Sequence, residues 1–323
     1  MKKELEIWQF AAERLKQNES VILLVVVESK GSSPGRQGFK MAIAEDDWRG
    51  SIGGGVMEVR LVEQAKFKIY SAVRRPPSAI VEQIHQKNSI NSSGMICSGK
   101  QTVVFYKLTK DDLRSVQKII QCIKNERERY FQITSNNFRV IWKKKFDVDF
   151  RFTKSEADFL YEEKLGFKNK LFIIGGGHCA LALSELMSKI DFHITLFDVR
   201  PNLNTIAKNK FAHEKHIIES YENISDFISS GANHFVVVMT LGYKSDEIVI
   251  RKLLAKNFKY FGVLGSKAKM ATLLKNLRKE NYSAEKLDKI HTPIGLPINS
   301  QTPEEIAVSI AAEIIAVKNG KFT

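Results

Sequence analysis

Residues 171–198 read LFIIGGGHCALALSELMSKIDFHITLFD. Four apolar residues, Leu171–Ile174, suit a short buried strand, and glycines follow. Apolar residues at helical spacing then run to about Ile190, and FHITLFD (192–198) returns to a strand. Strand, glycine turn, helix and strand form the opening unit of a nucleotide-binding Rossmann domain. Gly175-Gly176-Gly177-His178-Cys179-Ala180 fits G-x-G-x-x-A. In that pattern Gly175 permits the tight turn, Gly177 lets a pyrophosphate approach the backbone, and Ala180 lets helix and strand pack closely. The helix N-terminus offers free N–H groups to the phosphate. Asp198 closes the second strand at about the 20-residue distance expected of a ribose-binding acid. Arg200 could instead meet a 2′-phosphate, so NAD and NADP both stay open. His178 is either a proton donor or ligand, or a loop histidine bonded to its neighbours. Cys179 is either a thiolate favoured by the helix start or a small residue packed on the sheet.

The rest of the C-terminal half continues the alternation. HFVVVMT (234–240) and YFGVLG (260–265) read as buried parallel strands. In the last helix Thr302 is the expected N-cap, Pro303 the first residue and Glu305 the partner in a capping box. Ile306, Ile310, Ile314 and Val317 are its buried stripe, and Gly320 its end. The fold class is therefore α/β, with a Rossmann-like domain and parallel sheet over 170–323.

Residues 1–150 form an N-terminal α/β domain of different texture. A helix is expected at 3–17, strands at 21–29 and 39–44, and a turn at 45–50. A helix follows Ser51-Ile52-Gly53-Gly54-Gly55 to about Tyr70. Another strand is expected at 102–108, a helix over Leu113–Ile123, and two short strands near 130–142. The charged stretch 151–169 reads as a linker, with a short helix at 155–164. Two loops here could bind anions through backbone amides: 31–38, with Ser32, Ser33 and Arg36, and the triple glycine 53–55. Glu58 either stabilises the following helix dipole or acts as an acceptor or general base. Cys97, between Gly94 and Gly99, either ligates a soft metal or fills the core. Cys122, beside an apolar helix stripe, reads as core.

Composition narrows the classes. The net charge is +14, but basic residues are interspersed with acidic ones, and Lys143-Lys144-Lys145 is the densest cluster. That pattern argues against a nucleic-acid partner. No run approaches the roughly eighteen apolar residues of a membrane span, and no signal peptide is read at the N-terminus. Three cysteines make neither a disulfide framework nor a CxxC zinc site. A cytoplasmic protein is the simplest reading.

These segments together resemble the XdhC/CoxI family, the accessory factors of molybdenum hydroxylases such as xanthine dehydrogenase. The matching pieces are ESKGSSPGRQGFKMAI (28–43), RGSIGGGVME (49–58) and GMICSGKQTVVFY (94–106) in the first half. In the second they are FIIGGGHCALAL (172–183), TLFDVRP (195–201), VVVMTLGYKSDE (236–247), YFGVLGSKAKM (260–270) and IHTPIGLPINSQTPEEIAVSIAAEIIAV (290–317). The resemblance implies a non-catalytic maturation chaperone. Such a protein binds molybdenum cofactor, protects its sulfurated form and delivers it to an apo-hydroxylase. Implied partners are that hydroxylase, a cysteine desulfurase and a second copy of the chain. Carried over by motif, cofactor contacts fall on Ser33, Arg36, Gly53, Gly54, Gly55 and Glu58, and on Gly175, Gly177, His178, Asp198 and Arg200, with Cys97 at the metal. The chain departs from the family pattern at Val56, Leu241 and Tyr243, where relatives commonly carry cysteine or histidine. An NAD(P)-dependent oxidoreductase is the alternative, with His291 as its best acid/base candidate. A scaffold that docks proteins without binding a small molecule is a third reading.

Overall fold

In the computed structural model, which describes residues 2–70, 79–84, 99–125, 129–142, 148–156, 158–280 and 282–321, the valine-rich run becomes β1 (Val21–Gly31). It is the middle of an antiparallel sheet ordered β3-β2-β1-β5-β4. Its partners are β2 (Lys40–Ile43), β3 (Trp48–Gly50), β4 (Ala79–Ile84) and β5 (Gly99–Leu108). Successive β1 side chains point to opposite faces. Leu23, Val25 and Val27 enter one core with Trp8 and Leu15 of α1 (Lys2–Lys16). Ile22, Leu24 and Val26 enter another with Met57, Leu61 and Ala65 of α2 (Gly55–Ile69). Burial on both faces explains why β1 lacks polar alternation.

After β5 come α3 (Leu113–Lys124), β6 (Arg129–Thr134), β7 (Phe138–Ile141), β8 (Phe150–Lys154) and β9 (Phe159–Leu165). The four strands form a second antiparallel sheet ordered β7-β6-β9-β8. The expected linker at 151–169 and its helix at 155–164 are therefore corrected. Phe150–Lys154 and Phe159–Leu165 are strands of the first unit, which runs Met1–Gly166. Phe159, Tyr161 and Leu165 pack into the core. The alternation was hidden because Glu162 and Glu163 are buried too. Glu162 accepts from Gln132 Nε2 at 2.8 Å and Glu163 from Lys40 Nζ at 2.7 Å. The turn expected at 45–50 ends in the edge strand β3.

The second unit, Phe167–Thr323, is doubly wound. Its strands are β10 (Asn169–Ile174), β11 (Phe192–Asp198), β12 (Glu214–Ile217), β13 (Gly231–Val238) and β14 (Phe258–Val263). They form a parallel sheet ordered β12-β11-β10-β13-β14. Helices α4 (His178–Ser188) and α10 (Pro303–Lys318) cover one face, with α5 (Asn204–Lys208) at its edge. Helices α6 (Ile224–Phe227), α7 (Tyr243–Leu253), α8 (Lys267–Lys279) and α9 (Ala284–Asp288) cover the other. Strand order reverses between β10 and β13, so the carboxyl ends of these strands bound the crevice where such sheets bind ligands. The capping box at Thr302 and Glu305 forms as the sequence predicts, with Pro303 first in the helix.

Candidate functional site

In the Rossmann unit the three glycines do different work. Gly175 has φ +109°, and a Cβ there would lie 2.2 Å from the Met239 carbonyl oxygen beyond β13. Close approach of two backbones therefore requires it. A Cβ at Gly176 would strike Ile206 at 2.5 Å. The Gly176 N–H donates to Asp198 Oδ2 at 2.6 Å, and its carbonyl accepts from Thr205 Oγ1. Gly177 differs. Its φ is an ordinary −72°, and a Cβ would meet nothing within 4 Å. Among the described residues nothing demands glycine there, and the backbone at this position is left open to approach. It is the N-cap of α4 and provides no side-chain cap for the first-turn amides. Gly177→Val is expected to keep the far-ultraviolet dichroism and the melting midpoint while abolishing calorimetric binding of adenine nucleotides. A variant binding like wild type would show that no phosphate approaches here.

Asp198 is fully buried, and its carboxylate is crowded with donors. Oδ2 accepts from Gly176 N and from Arg200 Nη2 at 2.7 Å; Oδ1 accepts from Arg200 N at 2.9 Å and Arg200 Nε at 2.8 Å. Burial pushes this carboxyl up, but the Arg200 fork and the two amides outweigh it and hold it below the usual aspartate range. His178 is exposed at the first turn of α4. Burial pushes the Cys179 thiol up, which favours packing over a thiolate. Sequence reading missed Asp246. Its Oδ1 accepts from Thr240 N at 3.1 Å and Thr240 Oγ1 at 2.6 Å, which fixes the turn after β13.

In the first unit, pairing of β1 with β5 ends at Gly31 opposite Gly99. A β-bulge after Val26 bends that end. There three loops meet backbone to backbone. A Cβ at Gly35 would lie 2.1 Å from the Ile52 carbonyl oxygen, at Gly53 2.5 Å from Gly35 N, and at Gly99 2.6 Å from Ser33 N. The buried amide of Gln101 ties them together. Its Oε1 accepts from Ser33 Oγ at 2.8 Å and Gly35 N at 3.2 Å; its Nε2 donates to the Ile52 carbonyl at 3.4 Å. Gln101 also escaped the sequence reading. Its only signal there is an amide opening an apolar strand.

Glu58 lies in the first turn of α2, and its carboxylate is an acceptor for the loop that precedes the helix. Its Oε2 accepts from Ser51 Oγ at 2.7 Å, Ile52 N at 2.8 Å and Gly54 N at 2.9 Å. Gly53 N donates to Ser51 Oγ. The amides of residues 52–54 are thus engaged inside the loop. Donors left for an external anion are the first-turn amides of α2 from Gly55 onward, where Gly54 provides no side-chain cap, and the exposed Arg36, one of whose nitrogens donates to the Gly31 carbonyl. Cys97 lies outside the described residues. Among those residues no three His, Cys, Asp or Glu side chains are grouped to hold a metal ion, and no helix is long and apolar enough to cross a membrane. Val56 and Leu241 are exposed. Tyr243 packs against the second unit's core, and its OH accepts from Asn276 Nδ2 at 3.4 Å. Cys122 is core, as expected. His291 lies beside β14 and pairs with Glu313, which also accepts from Tyr260 OH and Gly295 N. These contacts fit a structural turn.

Comparison with known proteins agrees with this architecture. Residues 171–314 match the XdhC Rossmann domain, and residues 14–71 match the XdhC and CoxI family. The chain is 25% identical over 328 residues to a protein of Bacillus subtilis (strain 168) named as a "Probable xanthine dehydrogenase" component, spanning 94% of this chain and 95% of that protein. It is 23% identical over 316 residues to the "Uncharacterized protein YqeB" of Escherichia coli (strain K12), spanning 98% of this chain but 47% of that longer protein. The crystal structure described as a xanthine dehydrogenase from Bacillus halodurans superimposes with a TM-score of 0.72 at 22% identity, covering 98% of this chain and 96% of that one, which shows a shared fold. With models of this family matched in each unit, over residues 14–71 and 171–314, the chain belongs to the XdhC and CoxI family.

Proposed function

We propose that this protein is an accessory factor of a xanthine-dehydrogenase-type molybdenum hydroxylase. It binds the molybdenum cofactor as cargo, shields it and passes it to the apo-enzyme. Supporting this reading are the family and the names of the relatives, two of which are called xanthine dehydrogenase proteins. The observation that carries it is the loop platform of the first unit, in which Gln101 joins Ser33, Gly35 and Ile52. Segments far apart in sequence are built into one surface, and its free donors suit the anionic phosphate of a pterin cofactor. Arg36 supplies a charged fork for that phosphate, and the uncapped first turn of α2 supplies amides. Cys97, two positions before Gly99 in the sequence, is the group proposed to lie near the metal. The Rossmann unit binds a nucleotide at Gly177 and the α4 N-terminus.

The test is direct. Purified full-length protein mixed with molybdenum cofactor should retain pterin fluorescence and stoichiometric molybdenum through gel filtration. Absence of both would overturn the reading. Gln101→Leu keeps the volume but strands Ser33 Oγ and Gly35 N, at about 1–3 kcal/mol of stability for each group. It should weaken cofactor binding at least tenfold while leaving nucleotide binding unchanged. Undiminished cofactor affinity would show that the platform is not the site.

A further inference from the structure

The nucleotide reading of the Rossmann unit leaves NAD and NADP open, and the side chains at the end of β11 separate them. A ribose diol is recognised by a carboxylate that can accept from its hydroxyls at this position. A carboxylate has about four lone-pair sites. Those of Asp198 face Gly176 N, Arg200 N, Arg200 Nε and Arg200 Nη2, all within 2.9 Å. The Asp198 side chain is 0% exposed, whereas that of Arg200 is 32% exposed. What this corner offers to solvent is therefore the Arg200 side chain and not the carboxylate. Arg200 Nη1 has no hydrogen-bond partner among the described residues.

Resting on the nucleotide reading, we infer that Arg200 makes this site selective for a 2′-phosphorylated adenine dinucleotide, of the NADP class, over one with a free 2′,3′-diol. Admitting a diol requires Arg200 to leave a buried carboxylate, and a buried charge stripped of its partner is costly. A 2′-phosphate requires no such displacement. It meets Nη1, which the Nε and Nη2 bonds to Asp198 leave uncommitted, while Asp198 keeps the fork oriented, and planar guanidinium is well matched to phosphate oxygens. Asp198 is then a positioning residue for Arg200 and makes no contact with the ligand.

The experiment is isothermal titration of the full-length protein with NAD, NADP, 5′-ADP and 2′,5′-ADP. Wild type should bind NADP at least tenfold more tightly than NAD, a difference of about 1.4 kcal/mol, and 2′,5′-ADP more tightly than 5′-ADP. Arg200→Ala should lose at least tenfold in NADP affinity and bring the NADP-to-NAD ratio to one or below, because Asp198 becomes available to a diol. Arg200→Lys, which keeps the charge but not the fork, should lose most of the preference. Melting curves identify a variant that fails to fold, and the wild-type series decides without any variant. Equal affinities, or tighter binding of NAD, would overturn the selectivity and leave nucleotide binding standing. Failure of wild type to bind all four compounds would overturn both.

Discussion

Lys40→Met is expected to lower the stability of the first unit by about 3–5 kcal/mol, the usual result of breaking a buried ion pair from one side. Lys40 and Glu163 are 3% and 1% exposed. Lys40 Nζ donates to Glu163 Oε1 at 2.7 Å, Gly38 O at 2.8 Å and Glu4 Oε1 at 3.2 Å, and Tyr161 OH donates to Glu163 Oε2 at 2.7 Å. The cluster joins α1, β2 and β9, so it ties the two antiparallel sheets of that unit to each other and to the first helix. Removing the ammonium takes from the buried Glu163 carboxylate the cation that donates to it at 2.7 Å. Replacing both partners, Lys40→Met with Glu163→Leu, should recover a large part of the loss, since apolar substitution of a whole buried pair is often neutral. Urea denaturation of the full chain reads both values. A single variant within about 1 kcal/mol of wild type would show that the cluster is hydrated rather than dry.

The same cluster sets an alkaline limit. Burial alone pushes the Lys40 ammonium down, but Glu163 and Glu4 reverse this and raise it above an ordinary lysine. Burial, with Glu163 beside it, pushes the Tyr161 phenol well above an ordinary tyrosine. Both folded-state values exceed the unfolded values of about 10.4 and 10. Their contribution is therefore complete below about pH 10 and is lost as pH rises through the folded values. Stability measured from about pH 8 upward should stay level and then fall above about pH 10. In Lys40→Met the part of that fall due to the ammonium should disappear.

This cluster also marks the limit of what the sequence made legible. The Rossmann unit was readable because its signals are local. Apolar runs, the 175–180 glycine pattern and the Thr302 capping box each lie within one short window. The second sheet of the first unit was not readable. Its strand β9 buries Glu162 and Glu163 on opposite faces, and their partners Gln132 and Lys40 are distant in sequence. A rule that sends charge outward must fail where charges neutralise each other across the fold. The loop motifs around Ser33 and Gly53 were visible, but the Gln101 amide that joins them was not. Nor was Glu58 as their internal acceptor. The Asp198 position was anticipated correctly as the end of a strand. Its occupation by Arg200, two residues on, depends on a rotamer that no pattern encodes.

Gly175→Ala should be the most damaging single methyl group in the second unit. Two costs coincide there. At φ +109° an alanine is strained, at roughly 1–3 kcal/mol. Its Cβ would also sit 2.2 Å from the Met239 carbonyl oxygen and 2.9 Å from Thr240 Cα, a backbone overlap that no rotamer relieves. Forcing such an overlap in a packed interior costs roughly a further 1–3 kcal/mol. The strands concerned are β10 and β13, where Met239 N donates to the Ile174 carbonyl at 2.8 Å; on the other side Gly175 N donates to the Phe197 carbonyl of β11 at 2.8 Å. Pushing β13 away from β10 would therefore loosen the ladder at the ligand-binding end. A loss of several kcal/mol is a large share of the roughly 5–15 kcal/mol that holds a domain together. Gly177→Ala is the control. Its Cβ enters open space at an ordinary φ, so it should melt like wild type or slightly above it, as a glycine loses more entropy on folding. Thermal denaturation of the two variants side by side should separate them by several degrees or more. Equal melting points would mean that the backbone at Gly175 is not held against Met239, and the close approach at the switch point would have to be abandoned.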